Sequence, residues 1–195
     1  NQINRQRPCH IHTIEDPIEY RHKSNVGYVT QREIGSDTTT FAEALRRSMR
    51  QDPDVIVIGE MRDLETMSSA LTLAETGHLT FATLHTSDAA QTVSRIISAF
   101  PSAQQAQVRV QLASTLQVAI SQKLVPVIGG KGRVLAAEIL VATPGVRAMV
   151  REEKTHQIKS AMQTGAETCM CTLNQSLLKH LKDGKIDEKT ALLYS

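Results

Sequence analysis

The stretch Asp52-Pro53-Asp54-Val55-Ile56-Val57-Ile58-Gly59-Glu60-Met61-Arg62-Asp63 restricts the fold more than any other part of the chain. Four β-branched residues in unbroken succession, opened by a Pro turn and closed by Gly, describe a short strand buried on both faces, the kind found inside a parallel sheet. Charge begins abruptly after it. In open α/β sheets a ligand lies outside the carboxyl ends of the strands, so Glu60, Arg62 and Asp63 are delivered to the place where a phosphate-bearing ligand sits. An acid there can hold a metal-bound water or orient an attacking one, as phosphoryl transfer requires. Taken by itself, the run is read equally well as a core strand whose charged exit is merely solvated.

A chain of 195 residues buries one sizeable core with room for a small helical appendage and does not require two full domains. Its 22% charged and 41% apolar residues are ordinary for a globular protein, and a net charge of +2 gives no electrostatic argument for nucleic acid or an anionic membrane. Aromatic residues are scarce and Trp is absent, so nothing offers a base-stacking platform. No apolar run reaches the roughly 18 residues of a spanning helix. The polar, basic opening Asn1-Gln2-Ile3-Asn4-Arg5-Gln6-Arg7 lacks the apolar core of a signal peptide. Three cysteines, two of them in Cys169-Met170-Cys171, suit neither an ordinary disulfide nor a zinc knuckle and point to a reducing, cytosolic context. The opening residues read as the tail of a helix, so a longer parent polypeptide is expected.

The strand-then-acid design recurs. Residues 9–14, Cys-His-Ile-His-Thr-Ile, read as a strand running into Glu15-Asp16-Pro17-Ile18-Glu19, where Pro17 keeps Asp16 out of helical geometry and stiffens the turn. Strand alternation puts His10 and His12 on one face and Cys9 on the other, which argues against zinc. Over residues 22–40 the pattern is weak: Val26, Tyr28 and Val29 hint at a strand, while Arg32 and Glu33 read as loop or hairpin residues. Phe41, Leu45 and Met49 mark a helix capped by Thr40 and ended by Pro53, with Arg46, Arg47 and Arg50 away from its apolar stripe. After the central strand, Met67, Ala70, Leu71 and Ala74 mark another helix that Gly77 can terminate. His78, the apolar run 79–84 and then His85-Thr86-Ser87-Asp88 make a third strand with a polar exit. Repetition of one design implies a shared site.

Ser87 or Asp88 caps the next helix, whose stripe is Val93, Ile96, Ile97 and Phe100. A capping box of Ser102 and Gln105 is expected to open a long helix through Val108, Leu112, Leu116, Ile120 and Leu124. Residues 124–128 and 134–141 flank Gly129-Gly130-Lys131-Gly132 as a β-hairpin. Short helices follow Thr143-Pro144, at 146–150, 158–162, 173–181 and 187–193. The expected division is therefore an α/β core over residues 1–142 and a helical lobe over residues 143–195.

A nucleotide enzyme of this design normally cradles phosphates with Gly-x-x-x-x-Gly-Lys-Ser/Thr. The only Gly-Lys pairs here, Gly130-Lys131 and Gly184-Lys185, lack the following Ser or Thr. Thr13-Ile14-Glu15-Asp16-Pro17-Ile18-Glu19 nevertheless resembles the aspartate box of the secretion ATPase superfamily, which powers type II secretion and type IV pili. Asp52-Pro53-Asp54 through Glu60-Met61-Arg62-Asp63 resembles its Walker B segment, with Gly59 where other P-loop ATPases carry aspartate. Thr76-Gly77-His78 through Thr83-Leu84-His85-Thr86 resembles its histidine box. Order and spacing match, and the likeness runs from His10 onward. In the tail, Gly145-Val146-Arg147-Ala148-Met149-Val150-Arg151-Glu152 is similar to the Ala-Ile-Arg-Asn-Leu-Ile-Arg-Glu motif of the PilT-type pilus retraction ATPases. It departs at Gly145, Ala148 and Met149 and keeps Arg147. Lys154-Thr155-His156-Gln157-Ile158 and Thr172-Leu173-Asn174-Gln175-Ser176-Leu177 also look like that branch.

The resemblance implies a RecA-like P-loop NTPase core with a mostly parallel sheet, a β-hairpin and a C-terminal helical lobe. It implies a homo-hexamer that holds ATP between subunits and drives type IV pilus retraction, the basis of twitching motility, with the phosphate-binding loop and a PAS-like domain upstream of Asn1. By the same resemblance Glu60 polarises the attacking water, Glu15 and Asp16 position Mg²⁺ through water with Glu60 beside them, and His85 senses the γ-phosphate. His78 stands behind it, Arg62 ties the Glu60 loop to the site, and Arg32 reaches toward a neighbouring nucleotide. Arg147 either couples to the pilus base or simply pairs with Glu152 or Glu153. The implied partner is the inner-membrane platform protein of the pilus, with no nucleic acid and no direct membrane insertion. The implied location is cytoplasmic, peripheral at the inner membrane through protein partners. Without the phosphate-binding loop, this chain alone is expected to hydrolyse ATP poorly or not at all. A non-hydrolysing ring or scaffold subunit of a pilus or secretion machine is the reading from a different class. The extension and secretion branches carry a tetracysteine zinc insertion, for which this chain has no four-cysteine set.

Overall fold

In the computed structural model, which describes residues 1–195, the apolar run becomes strand β3 (Val55–Ile58), with Ile56 and Ile58 fully buried. It lies between β1 (His10–Glu15) and β4 (Leu79–Ala82), and β2 (Tyr28–Glu33) flanks the far side of β1. All the pairings are parallel, and the register places Glu15 beside Glu33, Ile14 beside Ile58 and Ile58 beside Ala82, so every carboxyl end lies along one edge. Parallel neighbours need a crossover. Helix α2 (Phe41–Ser48) carries the chain from β2 past β1 to β3, and α3 (Leu64–Glu75) makes the crossover from β3 to its neighbour β4, after a short α1 (Gln2–Gln6) that opens the chain. Thr40 caps α2 by accepting the Glu43 amide, and Asp63 caps α3 by accepting that of Thr66. Asp63 is thereby committed to a helix start rather than to a ligand. Ile14, Leu45, Ile56, Ile58 and Leu73 form the core under these helices, each stabilising the fold by roughly 2 kcal/mol through burial.

Arg32 and Glu33 are strand residues rather than loop residues. The edge position of β2 explains why its pattern was weak: it is only half-buried, so its side chains need not be apolar.

The chain packs as two compact units, Asn1–His85 and Thr86–Ser195. The second contains α4 (Ala89–Ser98), α5 (Ser102–Thr115), the antiparallel pair β5 (Val118–Pro126) and β6 (Arg133–Val141), then α6 (Pro144–Arg151), α7 (Ile158–Thr164), α8 (Leu173–Lys182) and α9 (Glu188–Tyr194). The long helix expected through Leu124 stops at Thr115, and residues 118–126 pair instead with residues 133–141. Apolar residues at 116, 120 and 124 satisfy a four-residue and a two-residue repeat alike, and the ladder with β6 decides between them. The Ser102 and Gln105 capping box is also not formed, because Gln105 Nε2 donates to the Phe100 carbonyl. Val125 and Ala136 of the hairpin share a core with Leu177 and Ile186. The hairpin therefore groups with the carboxy-terminal helices. No helix is long and apolar enough to cross a membrane.

Candidate active site

The exits of β1, β3 and β4 are stitched together by the backbone. Gly59 N–H donates to the Ile14 carbonyl at 2.7 Å, and a Cβ at Gly59 would meet that oxygen at 3.1 Å and Glu15 Cα at 3.2 Å. Only glycine lets the end of β3 pass this close to the end of β1. Met61 N–H donates to the Thr83 carbonyl at 3.0 Å, and the Thr83 hydroxyl donates to the Gly59 carbonyl. Glu60, held between these bonds, is 9% exposed, with Oε1 2.7 Å from Arg62 Nη2 and Oε2 3.4 Å from His85 Nε2. Both partners are mostly exposed, so solvent screens the attraction and these contacts orient the carboxylate more than they stabilise it.

Glu15 is held by its own face of the sheet. Its Oε1 accepts the Thr13 hydroxyl at 2.6 Å and Gln31 Nε2 at 2.9 Å. Gln31 also donates to the Tyr20 carbonyl and accepts the His22 amide, while Glu33 accepts the Ile18 amide at 3.0 Å. These bonds pin the loop that carries the exposed Asp16. Gln31, Glu33 and Thr83 thus build the site, although nothing in the patterning singled them out. The available signal was alternation on β2, which sets Gln31 and Glu33 on one face. A cavity of about 190 Å³ opens beside Glu15 and is also lined by Thr13, Gly59, Thr83, Asn4 and His22.

Other residues stand elsewhere. His78 precedes β4, with Nδ1 3.1 Å from both the Leu73 carbonyl and the Thr76 hydroxyl, so it closes α3 at the far end of a strand roughly 13 Å long. Arg32 is in register with Ile14 and shares its face, opposite to that of Glu15. Arg147 pairs with neither Glu152 nor Glu153, which bind Lys154 and Arg109. Its guanidinium donates to the carbonyls of Ala142 at 2.9 Å, Ser114 at 2.8 Å and Ala113, and to Gln117 Oε1 at 3.3 Å.

No group of three or more His, Cys, Asp and Glu side chains is arranged to enclose a metal. Glu15 and Glu60 stand at neighbouring strand ends, but Glu60 does not line the cavity beside Glu15; each is a carboxylate, the protein donor that Mg²⁺ takes one or two of while water and phosphate complete its shell.

The profile of the type II/IV secretion system protein family matches residues 1–175. The chain belongs to that family. Within it, the chain is 49% identical over 191 residues to the twitching motility protein of Neisseria gonorrhoeae, covering 98% of this chain and 51% of that one. It is 50% identical over 189 residues to the type IV pilus retraction ATPase PilT of Pseudomonas aeruginosa, covering 97% and 55%. The crystal structure of the pilus retraction motor PilT with bound ADP superposes with a TM-score of 0.92 at 51% identity, over all of this chain and 55% of that one. The Legionella pneumophila ATPase DotB superposes at 0.85 with 31% identity, over 95% and 51%. This family member therefore spans about half the length of the relatives it matches. It shares with them an α/β fold of parallel sheet and antiparallel hairpin.

Proposed function

We propose that the full-length protein is an ATP-hydrolysing motor for type IV pilus retraction and that residues 1–195 carry its catalytic acid. The observation behind this reading is Glu60, a nearly buried carboxylate at the exit of a central parallel strand, turned by Arg62 and His85 on either side. In that position Glu60 orients and polarises the water that attacks the γ-phosphate, and Arg62 keeps its carboxylate from turning away. His85, which is largely exposed, donates to the γ-phosphate and reports its presence to Glu60. Glu15 and Glu60, with Asp16 next in the chain, would hold Mg²⁺ through water, and the ion would supply neutralisation of phosphate charge. Arg32 and His78 are assigned no contact with the nucleotide bound beside Glu60. By likeness to PilT, the motor works as a homo-hexamer on the cytoplasmic side of the inner membrane, against a platform protein of the pilus.

In the full-length protein, Glu60→Gln is expected to bind ATP within about threefold of wild type and to lose turnover by roughly 100-fold or more. Equilibrium nucleotide binding and steady-state phosphate release read the two effects separately. Loss of affinity together with turnover would defeat the water-orienting role. The 195-residue chain alone, which has no Gly-rich Lys-Ser/Thr loop, is expected to turn over at least about 100-fold more slowly than the full-length protein. Equal rates would show that the phosphate cradle is dispensable.

A further inference from the structure

One side chain of β2 joins the carboxylate at the end of β1 to the loop that leaves it. Gln31 is in register with Thr13, and strand alternation sets both on the face of Glu15. Gln31 Nε2 donates to Glu15 Oε1 at 2.9 Å and to the Tyr20 carbonyl at 3.0 Å, while its own Oε1 accepts the His22 amide at 2.6 Å. Turned over, the carboxamide would set its oxygen against two acceptors and its NH₂ against a donor, so a single orientation satisfies all its partners. The Thr13 hydroxyl donates to the same Glu15 oxygen at 2.6 Å. Both donors take Oε1, which leaves Oε2 free for the cavity that Glu15 lines. A glutamate at a strand exit is long and rotatable, and two charge-assisted bonds to one of its oxygens set its rotamer before any ligand arrives. The loop has anchors of its own besides: Glu33 accepts the Ile18 amide, and the buried Asn4 donates to the Lys23 carbonyl and accepts the Asn25 amide. Closing the loop therefore does not by itself explain the bond from Gln31 to Glu15.

We propose that Gln31 is a positioning residue for Glu15: with Thr13 it holds one carboxylate oxygen, so that the other is presented to the divalent cation of a bound nucleotide. The proposal rests on the ATPase reading above. In the full-length protein, wild type, Gln31→Met, Glu15→Gln and the double variant Gln31→Met with Glu15→Gln are compared by two readouts. The first is equilibrium binding of a non-hydrolysable ATP analogue titrated with Mg²⁺; the second is kcat and KM for ATP. Gln31→Met keeps the length of the side chain and loses its donors and acceptor. It is expected to raise the Mg²⁺ concentration at half-effect about 10-fold and to lower kcat about 10-fold, while analogue affinity without Mg²⁺ stays within about twofold of wild type. The double variant is expected to match Glu15→Gln within about twofold in both readouts, because once the carboxylate is gone there is nothing left to position. A purely structural Gln31 would lower the melting temperature and leave the Mg²⁺ half-point and kcat per folded molecule unchanged, which overturns the proposal. So would losses that multiply in the double variant. If Gln31→Met does not fold, Thr13→Val, which removes the other donor to the same oxygen, replaces it in the same cycle with the same expectation of non-additivity. An inactive wild type defeats the ATPase reading and this proposal together; an active wild type that responds to Glu15→Gln and not to Gln31→Met defeats this proposal alone.

Discussion

His12 lies fully buried in β1 with both ring nitrogens unpartnered, where buried polar atoms are ordinarily hydrogen-bonded. Burial, with smaller repulsion from His10 and Arg32, lowers its pKa from 6.5 to about 4. The fold thus favours the neutral ring, and between those two values the unfolded chain binds the extra proton. Stability from this residue is complete above about pH 6.5 and drains away as the pH falls toward 4, a loss of roughly 3 kcal/mol. His12→Leu, similar in size and unable to titrate, is expected to flatten that slope and to be the more stable variant at pH 5. Urea midpoints taken from pH 4.5 to 7.5 measure it, and an unaltered slope in the variant would assign the titration to another group. Strand alternation had placed His12 beside His10 on one face, as found; that this face is a dry core emerges only when α2 and α3 close over it.

Among the elements, α5 and α6 show how one side chain joins two helices. The last carbonyls of a helix have no partner within it. Arg147, on α6, takes up those of Ala113 and Ser114 at the end of α5, and also the Ala142 carbonyl just before its own helix. Arg147→Ala is expected to destabilise the protein by about 2–3 kcal/mol, since it strands several acceptors at once. Arg147→Lys is expected to restore less than about half of that, because an ammonium cannot reproduce the planar fork. Thermal unfolding decides; an unchanged melting temperature in Arg147→Ala would return this residue to a surface role such as coupling to the pilus base. Helices with Thr40, Asp88 or Thr143 at their starts were legible because capping and apolar spacing are local. β5 was not, since its apolar spacing fits two repeats and only the partner strand selects one.

For the molecule as a whole, two apolar surfaces stand uncovered. β4 is an edge strand with Leu79 and Phe81 exposed, and β5 exposes Val118, Ile120 and Leu124 on one face. Strands of parallel sheets are normally covered on both sides, and open apolar edges invite pairing with other chains. The isolated 195-residue chain is therefore expected to self-associate, and Ile120→Lys with Leu124→Lys to reduce that association. Light scattering at rising concentration tests this, with a monodisperse monomer at about 100 μM as the contrary result. By itself the sequence determined a parallel sheet whose strands end in Glu15, Glu60 and His85, because runs of β-branched residues cut by Gly and Pro are local instructions that hold wherever the segment lies. Tertiary structure alone decided that Gln31 and Glu33 hold the Glu15 loop, that His78 falls at the opposite end of its strand, and that Arg147 serves stranded backbone groups. Those outcomes depend on register and on which amides and carbonyls lose their water, quantities defined only after distant segments have met.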